Sequence, residues 1–279
     1  MRRFNINNII NTNTKEAKET QEAGFMRRHT REQLRPGIAA ESRTKLGFVG
    51  LSAGAGATTL AFAAAEYLTA LLKKRALVTL LELDPGTGAP AGWPYDKTGI
   101  DRRFAGRDFV SLYRLAAEGK PLQGVLNIDG GSGFALRVPW ENGPGASVPA
   151  LLRLMNNVAG DVIVCDISAH RFSGDSFLTL LADFDRIICV FDPLPSHLLA
   201  SVHAAEVCRA AEASGVKTTY VFNKLNPGVN LREATRFTGV RDYIPFPAIP
   251  AEAVYAAEYA CRSLASEPEI KAAFDKLFL

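Results

Sequence analysis

Short apolar runs alternate with longer amphipathic runs along this chain from residue 46 onward. Seven apolar runs have the length expected of buried strands: Leu46–Gly50, Ala76–Leu83, Phe134–Val138, Val162–Asp166, Arg186–Phe191, Thr218–Asn223 and Tyr243–Phe246. Between them lie runs with helical spacing, at 57–73, 108–118, 148–158, 173–183, 196–213, 229–237, 251–260 and 265–277. Because continuous apolar strands that alternate with helices are typical of sheets covered on both faces, the pattern predicts a doubly wound α/β fold with a mostly parallel sheet.

The same pattern predicts how the chain divides into domains. We assign residues 46–279 to one domain, because neither an internal repeat nor a second boundary interrupts the alternation. Residues 1–45 form a polar, basic extension with ten Lys/Arg against five Asp/Glu. Within the domain, the segment 85–108 is predicted to be a long loop, and loops of that length are usually functional or mobile.

The composition excludes several classes of protein. The chain has 279 residues, of which 47% are hydrophobic and 22% charged, as in ordinary globular proteins. No run reaches the roughly 18 apolar residues of a spanning helix, and the start lacks the apolar core of a secretory signal, so a cytoplasmic protein without a transmembrane segment is expected. The extension is interpreted as solvated chain. The alternative is an arm that contacts an anionic surface, such as a membrane, nucleic acid or an acidic protein.

A glycine-rich turn stands between the first predicted strand and the first predicted helix. Gly54 and Gly56 allow the backbone to approach a phosphate closely, and a helix start adds partial positive charge. Thr58 stands where a phosphate-binding loop carries its Mg²⁺-binding hydroxyl, and Thr59 can reach an α-phosphate. The lysine of such loops is replaced by Ala57. The alternative is a tight turn between strand and helix that binds no ligand.

Polar residues also stand at the carboxyl ends of three other predicted strands. In open α/β sheets, ligands bind at the edge that these strand ends form. Glu82 and Asp84 end one strand, where two carboxylates can hold Mg²⁺ through water and position an attacking water. Asp166 ends another strand, as a metal-binding aspartate does in phosphate-binding loop enzymes. Asn223 ends a third and is a candidate reader of a purine edge. Each of these residues has an alternative interpretation as a cap or turn residue.

Together these segments resemble the ParA/MinD family of ATPases, whose loop reads KGGxGKT. Val49–Thr59 is similar to that loop, and 80–85 is similar to the family's ILDLDP-type strand end. The segments 160–166 and 242–247 resemble later strands of the family. The resemblance implies a nucleotide-binding fold that takes ATP or ADP with Mg²⁺. Its implied roles carry over to Gly54, Gly56, Thr58, Thr59 and Asn223 as nucleotide contacts, to Asp166 as a metal contact and to Asp84 as the catalytic residue. The family's lysine roles do not carry over to Ser52 or Ala57, which stay candidate nucleotide contacts together with Ala55 as parts of the same loop. Thr58 and Glu82 are further candidate metal contacts.

The departures from the family pattern qualify the expected activity. Ser52 and Ala57 stand where the family has its two lysines, and Glu82 stands where it has an aspartate. Charged groups that act on phosphate contribute on the order of 10³-fold or more in rate, so we expect weak or absent ATP hydrolysis. The expected role is that of a cytoplasmic positioning, assembly or regulatory factor, with an unknown protein partner and a homodimer as one option. Two alternatives stay open: an active ATPase that uses Arg102, Arg103 or Arg107, and a ligand-free interaction scaffold.

Overall fold

The computed structural model describes residues 43–73, 75–84, 93–140, 145–169, 172 and 174–279. Most of the basic extension predicted at 1–45 therefore lies outside the described residues. Eight strands form one sheet in the order β3-β4-β2-β5-β1-β6-β7-β8. Their bounds are Thr44–Gly50 (β1), Val78–Leu83 (β2), Ile128–Asp129 (β3), Ser132–Ala135 (β4), Val162–Ser168 (β5), Arg186–Phe191 (β6), Lys217–Leu225 (β7) and Tyr243–Pro247 (β8).

The strand pairing confirms the predicted architecture. Every neighbouring pair is parallel except β3 and β4, which pair antiparallel. β1 lies between β5 and β6, so the loop that follows β1 emerges near the middle of the sheet's carboxyl edge. This is the edge at which doubly wound sheets bind their ligands.

Helices cover both faces of the sheet. Among the described residues they are Ala57–Leu71 (α1), Trp93–Thr98 (α2), Ile100–Arg103 (α3), Leu112–Ala117 (α4), Val148–Asn157 (α5), Gly174–Leu181 (α6), Pro195–Ala213 (α7), Leu231–Thr238 (α8), Ala251–Tyr259 (α9) and Pro268–Phe278 (α10). One core cluster joins α1 and α10 to the sheet, and the other joins α5, α6 and α7 to the opposite face. None of the described helices combines the length and apolarity needed to cross a bilayer.

All seven predicted strands are present, and the prediction for β6 matches its bounds. β3 was missed, because a two-residue strand that pairs only with its neighbour has no periodicity to read. The prediction of one loop over 85–108 was wrong in part. Residues 93–103 contain α2 and α3. Tyr95, Ile100 and Phe104, which directly follows α3, are buried in the core cluster beside α1.

Candidate functional site

The loop between β1 and α1 contains two glycines in the left-handed region, Gly54 with φ 73° and Gly56 with φ 89°. Only glycine adopts these conformations without strain. Gly56 is also the N-cap residue of α1 and supplies no side-chain hydrogen bond to the helix. By contrast, α4, α5 and α8 begin with side-chain caps from Ser111, Ser147 and Asn230. The first N–H groups of α1 thus lack a side-chain cap and face the loop, which is the arrangement that binds anions.

The end of β7 fixes the conformation of the loop. Asn223 Nδ2 donates a hydrogen bond to the Ala55 carbonyl oxygen at 2.9 Å. Lys224 Nζ donates to the Gly54 carbonyl oxygen at 2.5 Å and to Asp192 Oδ2 at 2.8 Å. The carbonyl oxygens of Gly54 and Ala55 are therefore both bound by side chains of β7. Asn223 was predicted as a base-reading residue, and the structure places its amide N–H on the loop itself.

Sequence reasoning missed the cluster around Asp192 at the tip of the loop. Asp192 follows β6 and is buried, and Lys224 follows Asn223 directly. His197 Nδ1 lies 3.0 Å from Asp192 Oδ2. The hydrogen bond from Lys224 lowers the pKa of Asp192 although burial acts in the opposite direction. The rule that polar residues after a strand belong to the site would have found Asp192, had it been applied to β6.

Thr58 and Asp166, the residues that the sequence analysis proposes as metal contacts, meet below the loop. The Thr58 hydroxyl hydrogen-bonds the Asp166 carboxylate, while burial raises the pKa of Asp166 to about 6. Asp166 Oδ1 and Ser52 Oγ are both buried, and neither has a hydrogen-bond partner within the described part of the chain. Buried polar atoms almost always have a partner, so these two fit a site that is completed by a polar ligand.

The described residues contain no cluster of three or more His, Cys, Asp or Glu that could hold a metal by itself. This agrees with the way proteins bind Mg²⁺ beside phosphates. Mg²⁺ usually takes one or two protein ligands and completes its shell with phosphate oxygens and water. The donor set of Thr58 and Asp166 therefore suits a metal that arrives with a nucleotide.

The acid pair predicted after β2 is bound to an arginine. Arg137 Nη1 lies 3.0 Å from Asp84 Oδ2, and both side chains are largely buried. The Arg137 backbone N–H donates to Glu82 Oε2 at 2.9 Å. The guanidinium carbon also lies 5.2 Å from the centre of the Tyr113 ring, whose hydroxyl donates to the Asp84 carbonyl oxygen. Asp84, predicted to act on an attacking water, thus has its charge balanced by Arg137.

The three arginines proposed as substitute cations have partners away from the loop. Arg103 pairs with Glu66 at 2.8 Å and with Asp129 at 3.6 Å. Glu66 lies nine residues after Ala57, which is about 13 Å along a helix. Arg107 also pairs with Asp129, and Arg102 donates to the Tyr259 carbonyl oxygen. These contacts hold α3 and the residues after it against α1, β3 and α9.

A cavity of about 850 Å³ lies beside the loop, between α7 and α8. Asp192 and Lys224 form one wall, and the half-exposed side chains of Leu194, Leu199 and Phe237 form much of the rest. The cavity is mainly apolar, whereas the loop offers backbone N–H groups and buried oxygens. The anion-binding features therefore belong to the loop and not to this larger space.

The buried Asp166 carboxylate gives the first testable prediction. Because the pKa of Asp166 is raised from 3.8 to about 6, the folded state holds the proton more tightly than the unfolded state. This contribution to stability is present below pH 3.8 and is lost as the pH rises through 6. We expect Asp166→Asn to raise the free energy of unfolding at pH 7.5 by on the order of 1–3 kcal/mol, with little effect near pH 4.

Urea denaturation at the two pH values measures this difference. The exposed Asp242 provides the control, because Asp242→Asn should leave the stability unchanged at both. A loss of stability in Asp166→Asn at pH 7.5 would show that the charged carboxylate is well solvated or paired in the fold.

Comparisons with known proteins identify the fold. No family model matches the sequence, and no curated protein matches it. A ParA family ATPase from Chlorobium tepidum TLS has a similar structure, with 14% identity, a TM-score of 0.60, and coverage of 83% of this chain and 99% of its own. A putative plasmid partition protein from Borrelia burgdorferi B31 bound to AMPPNP has 13% identity, a TM-score of 0.60 and coverage of 84% and 97%.

The septum site-determining protein MinD from Pyrococcus horikoshii OT3, complexed with Mg-ADP, is similar to the same degree. It has 16% identity, a TM-score of 0.62, and coverage of 84% of this chain and 97% of its own. Each comparison spans nearly the whole of the known structure, so the similarity extends over the complete domain. The chain therefore has the fold of the ParA/MinD ATPases, as the resemblance of its loop and strand ends predicted.

Proposed function

We propose that this protein binds ATP or ADP with Mg²⁺ at the loop after β1 and hydrolyses ATP slowly or not at all. The observation that carries the proposal is the start of α1. It combines two left-handed glycines, a helix N-terminus without a side-chain cap, and two buried oxygens that lack a partner among the described residues. Backbone N–H groups and a helix N-terminus bind phosphate without any lysine.

The residues of the loop have distinct roles in this proposal. The backbone from Gly54 to Thr59 holds the phosphates, with Ala55 and Ala57 contributing only their N–H groups. Ser52 contributes its buried hydroxyl, and Asn223 holds the loop in place. Thr58 and Asp166 would hold the metal, and Glu82 is a further candidate ligand at the end of β2. Bound Mg²⁺ neutralises charge on the phosphate oxygens.

Slow hydrolysis follows from the charges that the site lacks and from the pairing of Asp84. Neither position 52 nor position 57 carries a lysine. The Asp84 carboxylate accepts a hydrogen bond from Arg137 Nη1 at 3.0 Å, so an attacking water would have to compete with the guanidinium for this oxygen. Loss of cations that stabilise developing phosphate charge costs on the order of 10³-fold in rate or more.

The proposed cellular role is that of a cytoplasmic positioning, assembly or regulatory factor. Support comes from the fold shared with a plasmid partition protein and with a septum site-determining protein. Such a role needs a protein partner. One candidate partner is a second copy of this chain, in a homodimer that holds nucleotide between its subunits. The basic extension at 1–45 provides a candidate contact to an anionic surface.

Calorimetric titration with ATP and ADP in the presence of Mg²⁺ tests nucleotide binding. We expect measurable binding of both, and thermal stabilisation of about 2.7 kcal/mol when the ligand is at 100 times its Kd. Thr58→Val should weaken binding and reduce its dependence on Mg²⁺, because the metal-binding hydroxyl is lost. Thr69→Val is a matched control on the same helix, since Thr69 bonds Ala65 and Ser132 away from the loop.

The same titration, with a phosphate-release assay, separates this proposal from its alternatives. A ligand-free scaffold predicts no stabilisation by any nucleotide at millimolar concentration. An arginine-dependent ATPase predicts rapid phosphate release that falls sharply when Arg102, Arg103 or Arg107 is replaced by alanine. Rapid turnover that Asp84→Ala abolishes would contradict the proposed slow hydrolysis.

A further inference from the structure

A buried lysine lies close to the first turn of α1, although the loop itself contains none. Lys97 belongs to α2, in the segment that the sequence predicted to be a loop. Its side chain is 6% exposed, and Nζ lies 2.5 Å from Glu258 Oε1 on α9. The Glu258 side chain is 31% exposed, so water reaches this carboxylate more easily than it reaches the ammonium group.

Two observations place Lys97 at the phosphate end of the candidate site. It lines a small cleft together with Thr59 and Phe62 of α1, and Glu258, Arg262 and Ser263 form the opposite side. Its positive charge also reaches Asp166, where it opposes the effect of burial on the pKa of that carboxylate. Lys97 therefore lies beside Thr59 in the first turn of α1, and its charge acts on the carboxylate proposed to hold the metal.

The energetics of this pair favour a functional role over a purely structural one. Burial of an ammonium group is costly, and its ion pairs and hydrogen bonds must offset that cost. Apolar residues of similar volume usually stabilise such a position as well as a buried ion pair does. Retention of a lysine here, in a chain whose loop has lost its lysines at 52 and 57, indicates that its charge has a use.

We propose that Lys97 binds the nucleotide phosphates and supplies to binding the positive charge that is absent at position 57, while the pairing of Asp84 with Arg137 keeps hydrolysis slow. The ammonium group that binds the phosphates is then supplied by Lys97 of α2, in the segment after β2, and not by the loop between β1 and α1. Glu258 is its partner in the structure described here, and the phosphates compete with Glu258 for the ammonium group when nucleotide binds. This inference rests on the proposed function, because it concerns the same ligand at the same loop.

Calorimetric titration of AMP, ADP and ATP with Mg²⁺ tests the role of Lys97. A contact with the phosphate tail should weaken ATP binding by about 10- to 100-fold in Lys97→Met, the usual effect of losing a hydrogen bond to a charged group. AMP binding should change much less. Lys97→Arg should restore part of the ATP affinity, and Glu258→Gln should bind ATP at least as tightly as the unchanged protein.

Two further variants separate a phosphate contact from a loss of folding. Lys97→Met/Glu258→Met removes both charges, so it keeps the packing without leaving the Glu258 carboxylate facing the lost ammonium group. It should fold and still show the selective loss of ATP affinity. Lys45→Met is the matched control, because Lys45 pairs with Asp183 at 3.0 Å and is 16% exposed, but lies near the amino end of β1.

The outcomes also distinguish this inference from the proposed function. Suppose that the unchanged protein binds ATP, and that Lys97→Met and Lys97→Met/Glu258→Met bind AMP, ADP and ATP with the same affinity ratios as the unchanged protein. Lys97 is then a structural residue, and the inference is wrong. If the unchanged protein binds no nucleotide, the proposed function fails and the role of Lys97 fails with it.

Discussion

Gly56→Ala is expected to destabilise the protein and to abolish nucleotide binding. A Cβ atom at Gly56 would lie 2.4 Å from Asn223 Nδ2, the group that donates to the Ala55 carbonyl oxygen. The left-handed φ of 89° adds strain of roughly 1–2 kcal/mol for a residue with a side chain. Displacement of Asn223 adds about 1 kcal/mol for the lost hydrogen bond. We therefore expect the free energy of unfolding to fall by about 2–3 kcal/mol.

Gly54→Ala is the matched control for this prediction. Gly54 is also left-handed, with φ 73°, but its Cβ would meet only His197 Cε1 at 3.8 Å, an ordinary contact. Gly54→Ala should therefore cost about 1–2 kcal/mol from backbone strain alone. Urea denaturation and ATP titration of both variants measure the difference. Equal loss of stability in the two variants would show that the contact between Asn223 and the loop has no energetic importance.

Arg137→Met is expected to have the second large effect, because it leaves the Asp84 carboxylate buried without its arginine. Removal of one member of a buried ion pair typically costs 3–5 kcal/mol, so we expect a loss of about that size at pH 7.5. The hydrogen bond to Glu82 comes from the backbone N–H of residue 137 and should persist in the variant. The methionine also keeps part of the packing against Tyr113.

A double-mutant cycle tests whether the cost comes from loss of the ion pair between Arg137 and Asp84. Arg137→Met combined with Asp84→Leu removes both charges, and it should recover most of the stability that Arg137→Met loses. Asp84→Leu alone should leave a buried guanidinium and also destabilise the fold. Losses that simply add in the double variant would mean that Arg137 and Asp84 act independently and that Arg137 is important for packing alone.

The candidate site is built mainly from backbone groups, so its geometry does not require a lysine at position 52 or 57. The anion-binding features of the loop come from φ angles, N–H groups and a helix start, which depend on Gly54 and Gly56. The charged parts come from side chains, and those have been replaced or paired in this chain, as at Ala57 and Asp84. Binding depends chiefly on the first set and rate on the second.

The sequence by itself determined the strands, the long helices and the position of the loop. Buried strands such as Arg186–Phe191 are continuous apolar runs, and a sheet covered on both faces requires that pattern. Gly54 and Gly56 mark the loop because the backbone there needs left-handed conformations. Thr58 and Asp166 could be expected to meet, since the loop and the carboxyl end of β5 lie on one edge of a parallel sheet.

Only the tertiary structure decided which charged groups face each other. Lys97 and Glu258 are 161 residues apart in the chain, and Asn223 lies 168 residues from its loop partner Ala55. Periodicity records whether a residue is buried but not what it is buried against. The partner depends on the order of the strands and on how the helices pack. For that reason the pairing of Arg137 with Asp84 and the approach of Lys97 to α1 could be found only in the folded protein.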